Sequence, residues 1–180
     1  MGVFSHPINP AVIYVYTFYY KLPSGLRIAF VTGNKGLIND LGAIIQSRVV
    51  CQDVVSQYIL KEYLKSGSYD KNLKQINKDL KQKKELMYEK LKDSIHLGLD
   101  MEQPKGGVFL WGKLPQGCNE KYLQSILKEK GVSYMPGNVF FGERRGDVNY
   151  VRFCYYCRTE NEIIEGINIF NKSFAESMNV

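Results

Sequence analysis

The stretch NYVRFCYYCRTENEIIEGINIFNKSFAES, Asn149 to Ser177, changes its period once, and that change sets the fold class. Val151 and Phe153 alternate with Arg152 and Cys154, the two-residue repeat of a strand. After Thr159 the repeat lengthens. Ile163, Ile167, Phe170 and Phe174 fall three or four apart and line one face of a helix. Thr159 with Glu162 three places on reads as a capping box, in which each side chain satisfies the other residue's free backbone amide. A strand that feeds into an amphipathic helix belongs to an α/β or α+β chain.

Upstream the same alternation continues. NEKYLQSILKEKG reads as a helix capped by Asn119 and stopped at Gly131. GGVFLWGKLP reads as a strand, and VSYMPGNVFF as a strand with a turn at Pro136–Gly137. The segment from Tyr69 to Ile95 carries Leu73, Ile76, Leu80, Met87, Leu91 and Ile95 at spacings of three, four or seven. That is one apolar stripe on a long helix, with Asp70 as its expected N-cap. Before it, QDVVSQYILKEYLKSG reads as a helix ending at Gly67, and KGLINDLGAIIQSRVV as one capped by Asn34. Leu26 to Gly33, LRIAFVTG, reads as a largely buried strand.

The chain has 180 residues, 44% of them hydrophobic and 23% charged, which is ordinary for a globular protein and excludes a disordered one. The net charge of +6 is compatible with an anionic ligand without specifying one. Four cysteines without a dense framework favour a reducing compartment. The apolar front end is broken by Pro7 and Pro10 and has no basic leader, so it reads as neither signal peptide nor membrane span.

Four features bear on chemistry. The lysines of the long helix, Lys71 to Lys92, could track a phosphate backbone, but Asp79, Glu85 and Glu89 interleave with them, the pattern of a solvated face. Cys154 and Cys157 form a lone C-x-x-C. With no second pair, they read as small apolar residues of a strand rather than half a zinc site, and no metal is expected. Arg152 lies between Val151 and Phe153, where an unpaired charge is costly. Its planar fork suits a carboxylate, and a structural salt bridge or a surface-facing position explains it equally well. Arg27 follows the Ser24–Gly25 turn, where an arginine can hold an anion, although taken alone a surface arginine is the favoured reading.

Four blocks in order, SGLRIAFVTG, GGVFLW, GVSYMPGNVFF and YVRFCYYCRTENEIIEGI, resemble the C-terminal part of fold-type I, pyridoxal-phosphate-dependent aminotransferases of class I/II. The likeness runs from about Thr17 to Phe174 and is nearest to the kynurenine/2-aminoadipate branch. The same domain occurs in winged-helix transcriptional regulators. The resemblance implies an α/β fold comprising the end of a large domain (1–68), a long linking helix (69–97) and a small α/β domain (98–180). It implies pyridoxal 5'-phosphate as cofactor, an aromatic or 2-aminoadipate-like amino acid and a 2-oxo acid as substrates, and a homodimer, with neither nucleic acid nor membrane as partner. The compartment implied is cytoplasmic, or mitochondrial for a longer parent.

Carried over residue by residue, the resemblance makes Arg27 the anchor of the cofactor phosphate, with Thr17 as a hydroxyl beside it. Arg152 becomes the clamp on the substrate carboxylate. The lysine that this family joins to its cofactor stands seven places before the phosphate arginine. Here Tyr20 occupies that place, and Lys21 comes one residue late. A phenol cannot replace the amine in that bond. Three readings stay open. Lys21 reaches the site across a loop one residue shorter; the chain keeps the fold without catalysis; or the first twenty or so residues are foreign to the protein. The last is preferred, and the chain is expected to be a C-terminal fragment, incomplete or inactive by itself. The alternative function is an inactive aminotransferase-like interaction or sensor domain.

Overall fold

The period change after the last strand is reproduced in three dimensions. The computed structural model of the chain describes residues 12–49, 51–141 and 149–178. The reading of the first eleven residues, with Pro7 and Pro10, lies outside them. The chain divides into two compact units, Met1–Ile76 and Asn77–Val180, and the division falls inside a helix.

In the first unit β1 (Tyr14–Thr17) pairs antiparallel with β2 (Ala29–Thr32), Tyr14 opposite Thr32 and Thr17 opposite Ala29. The alternation in VIYVYTF makes β1. Tyr14, Tyr16 and Phe18 turn to one face and stack with Phe30, while Val15 and Thr17 turn to the other. The strand expected at Leu26–Gly33 is shorter than foreseen, and every residue of it is exposed rather than buried. Its first residues go into a turn instead. Ser24–Leu26 is a single 3-10 turn, closed by the Leu26 amide on the Pro23 carbonyl, and Arg27 follows in the left-handed region at φ 48°. Such a conformation costs a non-glycine residue about 1 kcal/mol.

Two helices follow, α1 (Lys35–Arg48) and α2 (Val54–Lys65). Asn34 caps α1 as expected, its side chain accepting from the Gly36 amide. Asp53 caps α2 and accepts from both the amide and the hydroxyl of Ser56. α1 has no buried residue, while α2 buries Ser56 and Leu60. Gly67 then turns the chain at φ 69°.

The long helix α3 (Ser68–Lys90) starts two residues before the expected cap. Asp70 lies inside its first turn, where a carboxylate suits the helix dipole. The Ser66 hydroxyl accepts the Ser68 amide in its place. The helix is also not continuous to Ile95. At Leu91 it breaks, and α4 (Lys92–His96) follows. The break is held by Asn171, which donates to the Lys90 carbonyl at 2.8 Å and accepts from the Ser94 hydroxyl at 2.6 Å. Lysines on α3 pair with their acidic neighbours, Lys83 with Asp79 at 2.9 Å and Lys81 with Glu85 at 4.0 Å.

The second unit is a three-stranded antiparallel sheet covered by helices. β3 (Phe109–Lys113) and β4 (Met135–Pro136) flank β5 (Tyr150–Cys154), in the order β3–β5–β4. α5 (Glu120–Glu129) and α6 (Glu160–Ser177) pack on each other, and α4 packs on α6. Leu110, Val151 and Phe153 form the buried face of the sheet. Phe153 meets Phe170 edge to face at 4.8 Å, which locks the sheet to α6. The Thr159–Glu162 capping box is present, and Ile163, Ile167, Phe170 and Phe174 are all buried. Asn119 caps α5, and Gly131 ends it at φ 74°. Cys154 closes β5, but Cys157 lies beyond the strand. Both are free and exposed, so neither acts as the apolar strand residue expected.

Candidate functional site

Of the residues singled out from the sequence, Thr17, Tyr20, Lys21 and Arg27 lie in the first unit and Arg152 in the second. In the first unit the outer face of the hairpin forms a hollow of about 360 Å³ lined by Thr17, Tyr19, Tyr20, Arg27, Ile28 and Ala29. The strand pairing explains the grouping. Thr17 and Ala29 are direct cross-strand partners, so their side chains share a face, and the 3-10 turn returns Arg27 to the same end. The left-handed backbone at Arg27 places its guanidinium 5.2 Å from the centre of the Tyr19 ring. The Thr17 hydroxyl accepts the Tyr19 amide at 3.2 Å and keeps its own proton free to donate. One permanent cation and one hydroxyl donor in an open hollow make a receptor for a phosphate dianion.

Lys21 is not among the residues that line it. Its amine lies over the ring of Tyr16, 3.9 Å from the centre, and donates to the Tyr16 hydroxyl at 2.5 Å. The Tyr16 and Tyr69 hydroxyls are 2.8 Å apart, and the Lys21 carbonyl accepts from Asn72 at 3.4 Å. Burial would raise the Tyr16 phenol, but its hydrogen bonds with Lys21 and Tyr69 outweigh this and leave it below the ordinary tyrosine value. Burial, and then the bond to Tyr16, push Tyr69 well above that value. Tyr20 packs edge-on against Tyr19 at 5.0 Å and offers no amine. The phosphate of pyridoxal phosphate therefore fits the hollow, while its aldehyde meets no amine there.

In the second unit Arg152 stands on the face of β5 opposite Val151 and Phe153. Its cross-strand partners are Trp111 on β3 and Met135 on β4. The guanidinium is 4.1 Å from the Phe109 ring centre and 4.6 Å from that of Phe140. These faces hold the planar group by cation–π attraction without consuming its hydrogen-bond donors. The Arg152 Nε is buried and finds no acceptor among the described residues. The salt bridge left open by the sequence is thus absent among the described residues. A buried guanidinium nitrogen lacking an acceptor is destabilising, and a carboxylate ligand would supply that acceptor with two parallel hydrogen bonds. Gly137 lets the neighbouring turn approach, since a Cβ there would collide with Tyr150 and lie 2.9 Å from Trp111.

The sequence profile of the family "Aminotransferase class I and II" matches residues 22–169, which include Arg27 and Arg152 and begin one residue after Lys21. The chain belongs to the class I and II aminotransferase family. Aromatic-amino-acid aminotransferase 1 of Thermococcus litoralis is 33% identical over 168 residues, 93% of this chain and 40% of that protein. The crystal structure of Pyrococcus horikoshii kynurenine aminotransferase in complex with PMP superimposes with a TM-score of 0.85 at 31% identity, over 93% of this chain and 41% of that one. The α-aminoadipate aminotransferase of Thermus thermophilus, crystallised with N-(5'-phosphopyridoxyl)-L-leucine, gives a TM-score of 0.86 at 26% identity, over 94% and 43%. The chain thus spans about two-fifths of the length of the relatives it matches, and its fold is that part of fold type I.

Several residues that shape these sites are absent from the sequence reading. Tyr16 and Tyr69 lie 53 residues apart and meet only through folding. Phe109 and Phe140 flank Arg152 from different elements. The repeat of aromatics at Tyr14, Tyr16 and Phe18 was a usable signal for β1. No local signal marks the others.

Proposed function

We propose that this chain serves pyridoxal-phosphate-dependent amino transfer between an amino acid, aromatic or 2-aminoadipate-like, and a 2-oxo acid. Arg152 is the observation that carries the reading. It is a guanidinium set over the rings of Phe109 and Phe140, with a buried Nε lacking an acceptor among the described residues. Its role is to take the substrate carboxylate by a bidentate bond and fix the α-carbon in register. Arg27 and the Thr17 hydroxyl hold the phosphate of the cofactor. Pyridoxal phosphate, when bound, supplies the electron sink for chemistry at the α-carbon. The related aromatic-amino-acid, kynurenine and α-aminoadipate aminotransferases support the substrate class. A homodimer in the cytoplasm is part of the same proposal, and no described helix is long and apolar enough to cross a membrane.

The position of Lys21 favours a second reading, a chain that binds the cofactor phosphate and a carboxylate without turnover. One assay separates the two. The chain is incubated with pyridoxal phosphate, an aromatic amino acid or 2-aminoadipate, and 2-oxoglutarate, and glutamate is measured. Amino-acid-dependent glutamate that disappears in Arg152→Ala supports transamination. No glutamate, with saturable binding of the amino acid that Arg152→Ala abolishes, supports the second reading.

A further inference from the structure

We infer that Tyr16 and Tyr69 form a clamp on Lys21, holding its amine on the face of the hairpin opposite the Thr17–Arg27 hollow, and that Lys21 reacts with an aldehyde only when the clamp opens. The inference deepens the proposed function, because it rests on reading that hollow as the cofactor phosphate site. It concerns Lys21, the amine one place after the position at which the resemblance puts the family's lysine.

Strand alternation supplies the geometry. Tyr16 and Thr17 are consecutive in β1, so their side chains leave on opposite faces. The hollow belongs to the face of Thr17 and its partner Ala29. The Lys21 amine lies over the Tyr16 ring and so belongs to the other face. Two contacts fix it there, the ring at 3.9 Å and the Tyr16 hydroxyl at 2.5 Å, and the Tyr69 hydroxyl backs the Tyr16 hydroxyl at 2.8 Å. Tyr16 is itself fixed, stacked on Phe30 at 5.2 Å and edge-on to Phe18 at 5.0 Å. Tyr69 is fixed by Phe18 and Tyr63. Asn72 holds the Lys21 carbonyl, so the lysine is tied at backbone and tip. The low-lying phenol of Tyr16 agrees with a hydroxyl that mainly accepts from a cation.

An amine and an aldehyde join with loss of water to form one C=N bond. The nitrogen lone pair must be free, so the ammonium must first give up a proton and leave its acceptor. Removing the Tyr16 hydroxyl removes that acceptor while the ring remains. Tyr16 and Tyr69 are thus positioning residues for Lys21.

The test is reductive labelling. The whole chain is mixed with pyridoxal phosphate and reduced with borohydride, and the labelled lysines are mapped by mass spectrometry. Lys61 is the internal control, because it lies over the Tyr58 ring at 5.1 Å in the same unit. Tyr16→Phe is expected to raise labelling of Lys21 relative to Lys61 about tenfold, the effect of losing one hydrogen bond to a charged group. Tyr69→Phe, which keeps its ring contacts, is expected to raise it by less. Circular dichroism checks that both variants fold, and Tyr69→Phe decides the matter if Tyr16→Phe unfolds. Lys21 labelled in the unaltered chain as fast as in the folded variants overturns the clamp. The readout needs no turnover, so its outcome is separate from that of the glutamate assay. Label retained with free pyridoxal in place of the phosphate ester would leave the clamp standing and remove the hollow as its phosphate anchor.

Discussion

At the residue scale the chain's character depends on which polar groups have partners. Arg152 is held by rings and lacks an acceptor for its buried Nε among the described residues, so its substitution should act on ligands more than on the fold. Arg152→Lys keeps the charge and loses the fork. Calorimetric titration with the amino acid in the presence of pyridoxal phosphate is expected to show about tenfold to hundredfold weaker binding, with the melting temperature unchanged or higher. Glu162 is the opposite case. The Thr159 backbone amide first, then its hydroxyl, hold the Glu162 carboxyl below the ordinary glutamate value. A depressed folded-state value stabilises the fold above the unfolded value, and that contribution fades as pH falls through the folded one. Melting temperature should therefore drop on acidification below about pH 4.3, and Glu162→Gln should remove that part of the drop. Both residues were legible in the sequence because their meaning is local, a charge inside an apolar strand and a cap three residues from its partner. Lys21 was legible only as a displaced letter. Its partner Asn72 comes from another element, 51 residues away, and no spacing rule reports it.

At the scale of elements, α1, α5 and α6 followed their caps, α3 did not, and the strands departed further from the reading. α5 and α6 begin where Asn119 and Thr159 place them, because a cap is satisfied within four residues. β1 escaped the reading although its aromatics alternate, and β2 emerged exposed. Strand burial depends on what packs against the face, which a single segment does not encode. The break between α3 and α4 has the same origin, since Asn171 that holds it is 81 residues from Lys90. Gly137 offers a direct test of how the sheet is fitted. Gly137→Ala drives a methyl group into Tyr150 and Trp111 and should cost about 1–3 kcal/mol. Trp111 is the only tryptophan and stacks on Tyr150 at 5.1 Å. Its emission should shift to the red in the variant, and urea melts followed at that wavelength give the stability loss directly.

At the scale of the whole molecule the two units differ in how much they bury. Leu110, Leu123, Val151, Ile163, Phe170 and Phe174 form one shielded core in the second unit. In the first, α1 has no buried residue and α2 has two. Amide hydrogen exchange should separate them sharply, with the amides of β5 and α6 slowest and those of α1 among the fastest. Equal protection in both units would contradict the difference in burial. The fold class could be read from the sequence because much of the core of the second unit comes from strongly periodic segments, β5 and α6 among them. Among the described residues the first unit has no comparable core to announce itself.

The exposed hairpin governs how the chain behaves in concentrated solution. β2 pairs only with β1 among the described residues, and its four residues, Ala29, Phe30, Val31 and Thr32, all face solvent. An apolar strand with an unpaired edge is a template for the same strand in another copy. Light scattering should therefore rise with concentration and time, and thioflavin fluorescence should rise with it. Val31→Lys sets a charge on that strand and should keep the solution clear, as gatekeeper charges do on natural sheet edges.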